Sequence, residues 1–139
     1  MDPLSTTASV IAVVTAALRC AKTIREIICG IRDGPTYVQE LGMKMSDIRD
    51  LLNQLKAVGQ RITGNEFDEL KATMQRCAND LAMFEEKILK LREVPGEKKW
   101  AIVNKRIKAT LKEDDFLSMG RRVTQYIETI GVQLEIIGT

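Results

Sequence analysis

The side chains able to do chemistry are few. Cys20, Cys29 and Cys77 are the thiols, and the chain has no histidine. That removes Ser/His/Asp and Cys/His nucleophilic sets and every histidine-containing metal site. The cysteine spacings contain no C-x-x-C, so neither a zinc knuckle nor a dithiol redox pair is legible. All three lie in apolar helical patterns and read as buried free thiols in a reducing compartment. Carboxylates occur as the neighbours Glu85-Glu86 and Asp114-Asp115, which point in different directions on a helix. Glu66, Asp68 and Glu69 sit where a helix begins and read as dipole or capping charges. The 9 glycines form no phosphate-cradling loop. The chain is therefore read as a non-enzyme, with no cofactor and no metal.

Two other patterns remain. The first is a stretch without charge from Pro3 to Leu18. It follows only Asp2 and precedes Arg19, Lys22 and Arg25, the wrong side for a secretory leader. It is too short and too rich in Ser and Thr to span a bilayer. The second is basic: Lys98, Lys99, Lys105, Arg106, Lys108 and Lys112, opposed only by Glu97 within 97–112. On a helix Lys98, Lys105, Lys108 and Lys112 share one face, with Trp100, Val103, Ile107 and Leu111 elsewhere. A basic helix bearing tryptophan suits an anionic membrane surface, or is a solvated outer face. Nucleic acid is not expected as partner, because aromatic residues for stacking are scarce and no recognition motif occurs.

The elements that position these residues are helical throughout. Val10, Val14, Ala17, Ala21, Ile24, Ile28 and Ile31 recur at alternating steps of four and three. Val38, Leu41, Met45, Ile48, Leu52 and Leu55 do the same. So do Phe67, Leu70, Met74, Cys77, Leu81, Phe84, Ile88 and Leu91, and then Phe116, Gly120, Val123, Ile127, Ile130, Leu134 and Ile137. Each series is one apolar stripe on a helix. With 139 residues, 45% of them hydrophobic, the chain forms one domain with a real core. Its +2 net charge argues against a dedicated nucleic-acid binder.

The breaks predict helices over 3–32, 36–61, 65–94, 97–111 and 114–137 within a single domain, 1–139. Asp2-Pro3 reads as a cap followed by proline at the first helical position. Thr36 with Gln39, and Thr63 with Glu66, have capping-box spacing. Gly34-Pro35 and Pro95-Gly96 are stops. Acidic Glu113-Asp114-Asp115 favours the start of the last helix. Short connections make consecutive helices antiparallel, so the fold class is all-α, an antiparallel four- to five-helix bundle. The first helix is apolar beyond its stripe, at Leu4, Ile11, Val13 and Leu18. Ala8, Ala12 and Ala16 add a series of small residues that permits close helix approach. Such a helix is either central in the bundle or meant for a second environment.

These residues carry a resemblance. Met1-Asp2-Pro3-Leu4-Ser5, running into Ala8-Ser9-Val10-Ile11-Ala12-Val13, resembles the start of the fungal N-terminal domain of STAND proteins, which are NOD-like receptor-type and HeLo-like. Ile31-Arg32-Asp33-Gly34-Pro35 with Val38, Leu41, Ile48, Leu51 and Leu52 is similar to that family's break and Leu-rich helix. Lys99-Trp100-Ala101 and Lys112-Glu113-Asp114 resemble its Trp-containing short helix leading into a last long one. The likeness covers essentially the whole chain.

The resemblance implies a HeLo-like bundle similar to the four-helix bundle of the necroptosis pseudokinase. It implies a cell-death effector of fungal immunity or incompatibility, cytoplasmic at rest and at the plasma membrane when active. A nucleotide-binding receptor region, in cis or upstream, would trigger homo-oligomerisation and exposure of the first helix. The chain is then an excised domain or a stand-alone version. Leu4, Ala8, Val10, Ile11, Ala12, Val13, Val14, Ala16 and Leu18 would enter the bilayer. Arg19, Lys22 and Arg25, with Lys98, Lys99, Lys105, Arg106, Lys108 and Lys112, would meet anionic lipid. The alternative is a non-lytic regulatory or oligomerisation module of such a receptor.

Overall fold

The structure, a computed structural model, describes residues 3–59, 66–93, 96 and 98–138. Five α-helices follow in order: α1 (Pro3–Cys29), α2 (Thr36–Val58), α3 (Glu66–Ile88), α4 (Trp100–Ile107) and α5 (Glu113–Gly138). A 3-10 segment, Leu89–Glu93, continues from α3. No strand occurs among the described residues, and the fold is an all-α helical bundle.

The stripes become the core. Val10, Val14, Ala17, Ala21, Ile24 and Ile28 of α1 are buried, and so are all six stripe residues of α2. On α3 the stripe is buried from Leu70 through Ile88, and Leu91 extends it into the 3-10 segment. On α5 Phe116, Val123 and Ile130 are buried, with Ile127 and Leu134 packed at the edge.

α1 packs against α2 and α3, and α5 packs against the same two, so α1 and α5 occupy opposite corners. Contacts fix the directions. Ile28 lies against Gly42 and Ile11 against Gly59, so α1 and α2 run antiparallel. Asp80 meets Arg122 and Tyr126 while Phe84 meets Phe116, so α3 and α5 do too. The four long helices α1, α2, α3 and α5 thus alternate in direction. In space α2 and α5 run parallel, with Tyr37 on Phe116 and Lys44 on Gly120.

Local chemistry moves several helix ends. α1 stops at Cys29 rather than 32 because the backbone of Arg32 has another partner. Its N–H donates to the Lys98 carbonyl at 2.8 Å, and its carbonyl accepts from Trp100 N–H at 2.8 Å. Asp33 then takes a left-handed φ of 59°, and Pro35 disfavours helix at the residue before it. The Thr36/Gln39 capping box does not form. Pro35 is the N-cap of α2, and Gln39 Nε2 donates to the Gly34 carbonyl at 2.9 Å. α4 is shorter than 97–111, since the chain after Ile107 tightens into turns. Residues 60–65, with the Thr63/Glu66 box, and residues 94–95 lie outside the described residues, as does Asp2. At α5 the Lys112 N–H donates to Asp115 Oδ2 at 2.8 Å, and three acids occupy the first turn as the helix dipole favours.

Gly42 is a point of close approach between α1 and α2. A Cβ there would lie 3.0 Å from Ile28 Cγ2. Of the small-residue series, Ala12 is exposed and Ala16 half-buried, so these two do not make the close helix contact, and the side chain of Ala8 lies outside the described residues.

Candidate functional site

Of the residues proposed to enter a bilayer, Val10 and Val14 are 1% exposed and belong to the centre of the core. Ile11, Val13, Ala16 and Leu18 are half-buried, and Ala12 is exposed. The side chains of Leu4 and Ala8 lie outside the described residues. The apolar positions of α1 therefore divide into an inner seam held by α2 and α3 and an outer flank. No described helix is long and apolar enough to cross a membrane.

The cations divide too. Arg19 and Lys22 are exposed on α1, whereas Arg25 donates from Nε to Ser46 Oγ on α2 at 2.6 Å. Arg25 is thus engaged within the bundle. Lys98 is half-buried, and its Nζ donates to the Leu91 carbonyl. Lys99, Lys105, Arg106, Lys108 and Lys112 are exposed. α4 ends at Ile107, so Lys108 and Lys112 leave the single helical face that spacing assigned to them. Trp100 packs inward, on the side its spacing shares with Val103 and Ile107. Its ring packs edge-on to Tyr37 and Phe116 at 6.2 Å, and Phe84 closes the cluster at 5.7 Å from Phe116. The tryptophan seals this end of the bundle.

The two regions lie at opposite ends. Ile11 sits beside the last turn of α2, while Arg32, just past α1, is bonded to the start of α4. From residue 10 to residue 28 the helix rises about 27 Å.

Two features were not read from sequence. Ile102 on α4 is 47% exposed amid the cations; its place off the Trp100/Val103/Ile107 seam is the signal that could have found it. The second is polar. Asp80 accepts from Arg122 Nη1 at 3.1 Å and from the Tyr126 hydroxyl. No sequence spacing joins residues on different helices. A cleft of about 190 Å³ lies beside them, lined by Met83, Lys87, Asp115 and Met119 among others. Among the described residues no group of three His, Cys, Asp or Glu is placed to hold a metal ion.

The thiols correct one expectation. Cys77 is buried and Cys20 half-buried, but Cys29 is exposed near the end of α1. Burial pushes the Cys77 thiol up to about 12, helped by Asp80 and Cys20. Burial and then Glu85 push Cys20 up to about 11. Burial and its hydrogen bond to Asp80 raise Tyr126 as well. These groups are held protonated in the fold and ionise more readily when unfolded. Their contribution is complete below the ordinary thiol value of 9.0 and is lost as pH rises through the folded values. The melting temperature should therefore hold up to about pH 9 and fall beyond it; an unchanged melting temperature well above that would contradict the buried placement of these groups.

The comparisons with known proteins bear on the whole chain. The family described as pigment biosynthesis cluster protein PigL N-terminal matches residues 1–138. The chain belongs to this family. The PigL N-terminal family is a fungal domain family, and here its fold is the square of α1, α2, α5 and α3 with α4 across one end. No curated protein matches the chain, and no solved structure matches it.

Proposed function

We propose that this bundle is a membrane-directed cell-death effector domain of a fungal STAND-type receptor, HeLo-like in kind, with α1 as its working element. The observation that carries the reading is the composition of the outer flank of α1. Ile11, Ala12, Val13, Ala16 and Leu18 are not fully enclosed, yet no charge interrupts the helix from Pro3 to Leu18. From Val10 to Leu18 the one polar residue is Thr15, whose hydroxyl donates to the Ile11 carbonyl at 2.8 Å; a helix that served only the core would carry charged residues on that side. At rest the inner seam keeps α1 in the bundle, in the cytoplasm. Clustering by the receptor region would provide several copies, and together their α1 helices would offset the loss of core packing by entering the plasma membrane. Arg19 and Lys22 would stay at the headgroups. No cofactor or catalytic step is involved.

A second reading has its own observation. The inner seam of α1 is as fully buried as any in the bundle, which suits a non-lytic regulatory or oligomerisation module. Membership of the pigment biosynthesis cluster protein PigL N-terminal family is equally compatible with that role.

Dye leakage from anionic liposomes separates the two. The intact bundle is compared with the same bundle clustered through a fused, inducible oligomeriser. Removing Met1 to Leu18 is not a usable control, because it deletes Val10, Val14 and Ala17 from the core. Leakage on clustering is the expected result. Stable clusters without leakage would establish the interaction module instead.

A further inference from the structure

We propose that the α4 end of the bundle is a docking surface for an anionic lipid bilayer, with Ile102 as its apolar contact. This inference takes its partner from the membrane-directed reading but assigns the first contact to a different part of the molecule.

The buried side of α4 is given by Val103 and Ile107, both fully enclosed. The opposite side carries Ile102, 47% exposed, between Lys99 and the pair Lys105 and Arg106. A large aliphatic side chain ringed by cations is the arrangement by which a short helix lies in a headgroup layer. The apolar residue enters the acyl boundary and the cations stay among the phosphates. Each such cation is worth about fivefold in partitioning to an anionic leaflet. The segment from Lys98 to Lys112 contains no acid, although Glu113 and Asp114 follow it.

The surface is preorganised. The paired backbone hydrogen bonds of Arg32 with Lys98 and Trp100, each 2.8 Å, fasten the start of α4 to the turn between α1 and α2. Trp100 anchors the same point in the aromatic cluster. Docking therefore orders little that is not already ordered. The inward turn of Trp100 also favours a bilayer over a nucleic acid, which would want an aromatic face for stacking. A bundle docked in this way holds the N-terminal half of α1 at its far end. Membrane recruitment and exposure of α1 are then separate steps.

The test is co-sedimentation of the intact protein with phosphatidylcholine vesicles, with and without phosphatidylserine. Binding should require phosphatidylserine and weaken as salt is raised. K105E with K108E should lower it by at least about tenfold, and I102S by roughly fivefold. M43S, which alters an exposed methionine on α2, should bind as the parent does. Melting temperatures identify any variant that has lost its fold, and K105Q with K108Q is the milder pair. Equal binding to neutral vesicles overturns the proposal, as does binding indifferent to the charge changes or tighter binding of single-stranded RNA. Binding and leakage are read separately. Docking without leakage under any clustering would defeat the α1 effector reading alone, and leakage with no dependence on α4 would defeat this one alone.

Discussion

Val14→Asp should leave no folded bundle, while Ala12→Asp, two residues away, should leave the fold intact and remove the leakage proposed for α1. Val14 is 1% exposed, in the seam between α2 and α3. Replacing it forfeits about 1.5–3 kcal/mol of apolar burial and strands a carboxylate among aliphatic side chains, at several kcal/mol more. A domain of this size has about 5–15 kcal/mol in all, so the cooperative melting transition should vanish. Ala12 is exposed in the same helix. Aspartate there costs about half a kcal/mol of helix propensity and little else in water. In a bilayer the same carboxylate costs about 2.5–3.5 kcal/mol, or roughly a hundredfold in insertion. Circular dichroism and leakage on the two variants read this contrast. A folded Ala12→Asp protein that leaks like its parent would show that the outer flank of α1 does not enter lipid. Ile11→Glu is a poorer probe, because Ile11 packs beside Gly59.

That contrast marks what periodicity can and cannot report. Steps of four and three placed the seams of all four long helices, because a helix buries one stripe and the stripe repeats with the turn. The same steps cannot say which corner a helix occupies. That α1 and α5 are diagonal follows from complementarity between surfaces distant in sequence. Termination failed for a related reason. The end of α1 depends on Arg32 finding backbone partners at Lys98 and Trp100, some sixty-odd residues away, and no local signal encodes such a pair. Pro35 itself was legible as a stop, but its role as the cap of α2 was not.

The candidate sites divide along the same line. The uncharged run to Leu18 was visible, but the division of that run into an inner seam and an outer flank required the neighbours. Spacing put Trp100 with Val103 and Ile107, away from the lysines, and it does pack inward against Tyr37 and Phe116. That Ile102 is the apolar side chain left outside needed the packing to show it. The expectation for Cys29 failed: apolar neighbours in sequence implied burial, yet its position near the α1 terminus leaves it exposed.

Tying α1 to α2 by a disulfide should abolish the leakage proposed for α1, and reductant should restore it. A Cβ built on Gly42 lies 3.9 Å from Ile28 Cβ, inside the roughly 3.5–4.5 Å that disulfides span. The Ile28→Cys change also removes the Cγ2 that crowds Gly42 at 3.0 Å, so the pair Ile28→Cys and Gly42→Cys relieves its own clash. Cys29 is exposed next door and should first become serine. The link closes a short loop, which stabilises the bundle by about 3 kcal/mol if unstrained, and it keeps the C-terminal end of α1 in place. Melting should rise on oxidation, and the oxidised protein should bind vesicles but no longer leak their dye. Leakage that survives oxidation would mean that α1 does not leave as one piece. A second pair, Ile11→Cys with Gly59→Cys, then discriminates further, because an added Cβ at Gly59 lies 3.6 Å from Ile11 Cγ1. If the second lock stops leakage where the first does not, the N-terminal half of α1 peels away while Ile24 and Ile28 remain in the core. If neither does, α1 stays in the bundle throughout, and the membrane activity belongs to another surface.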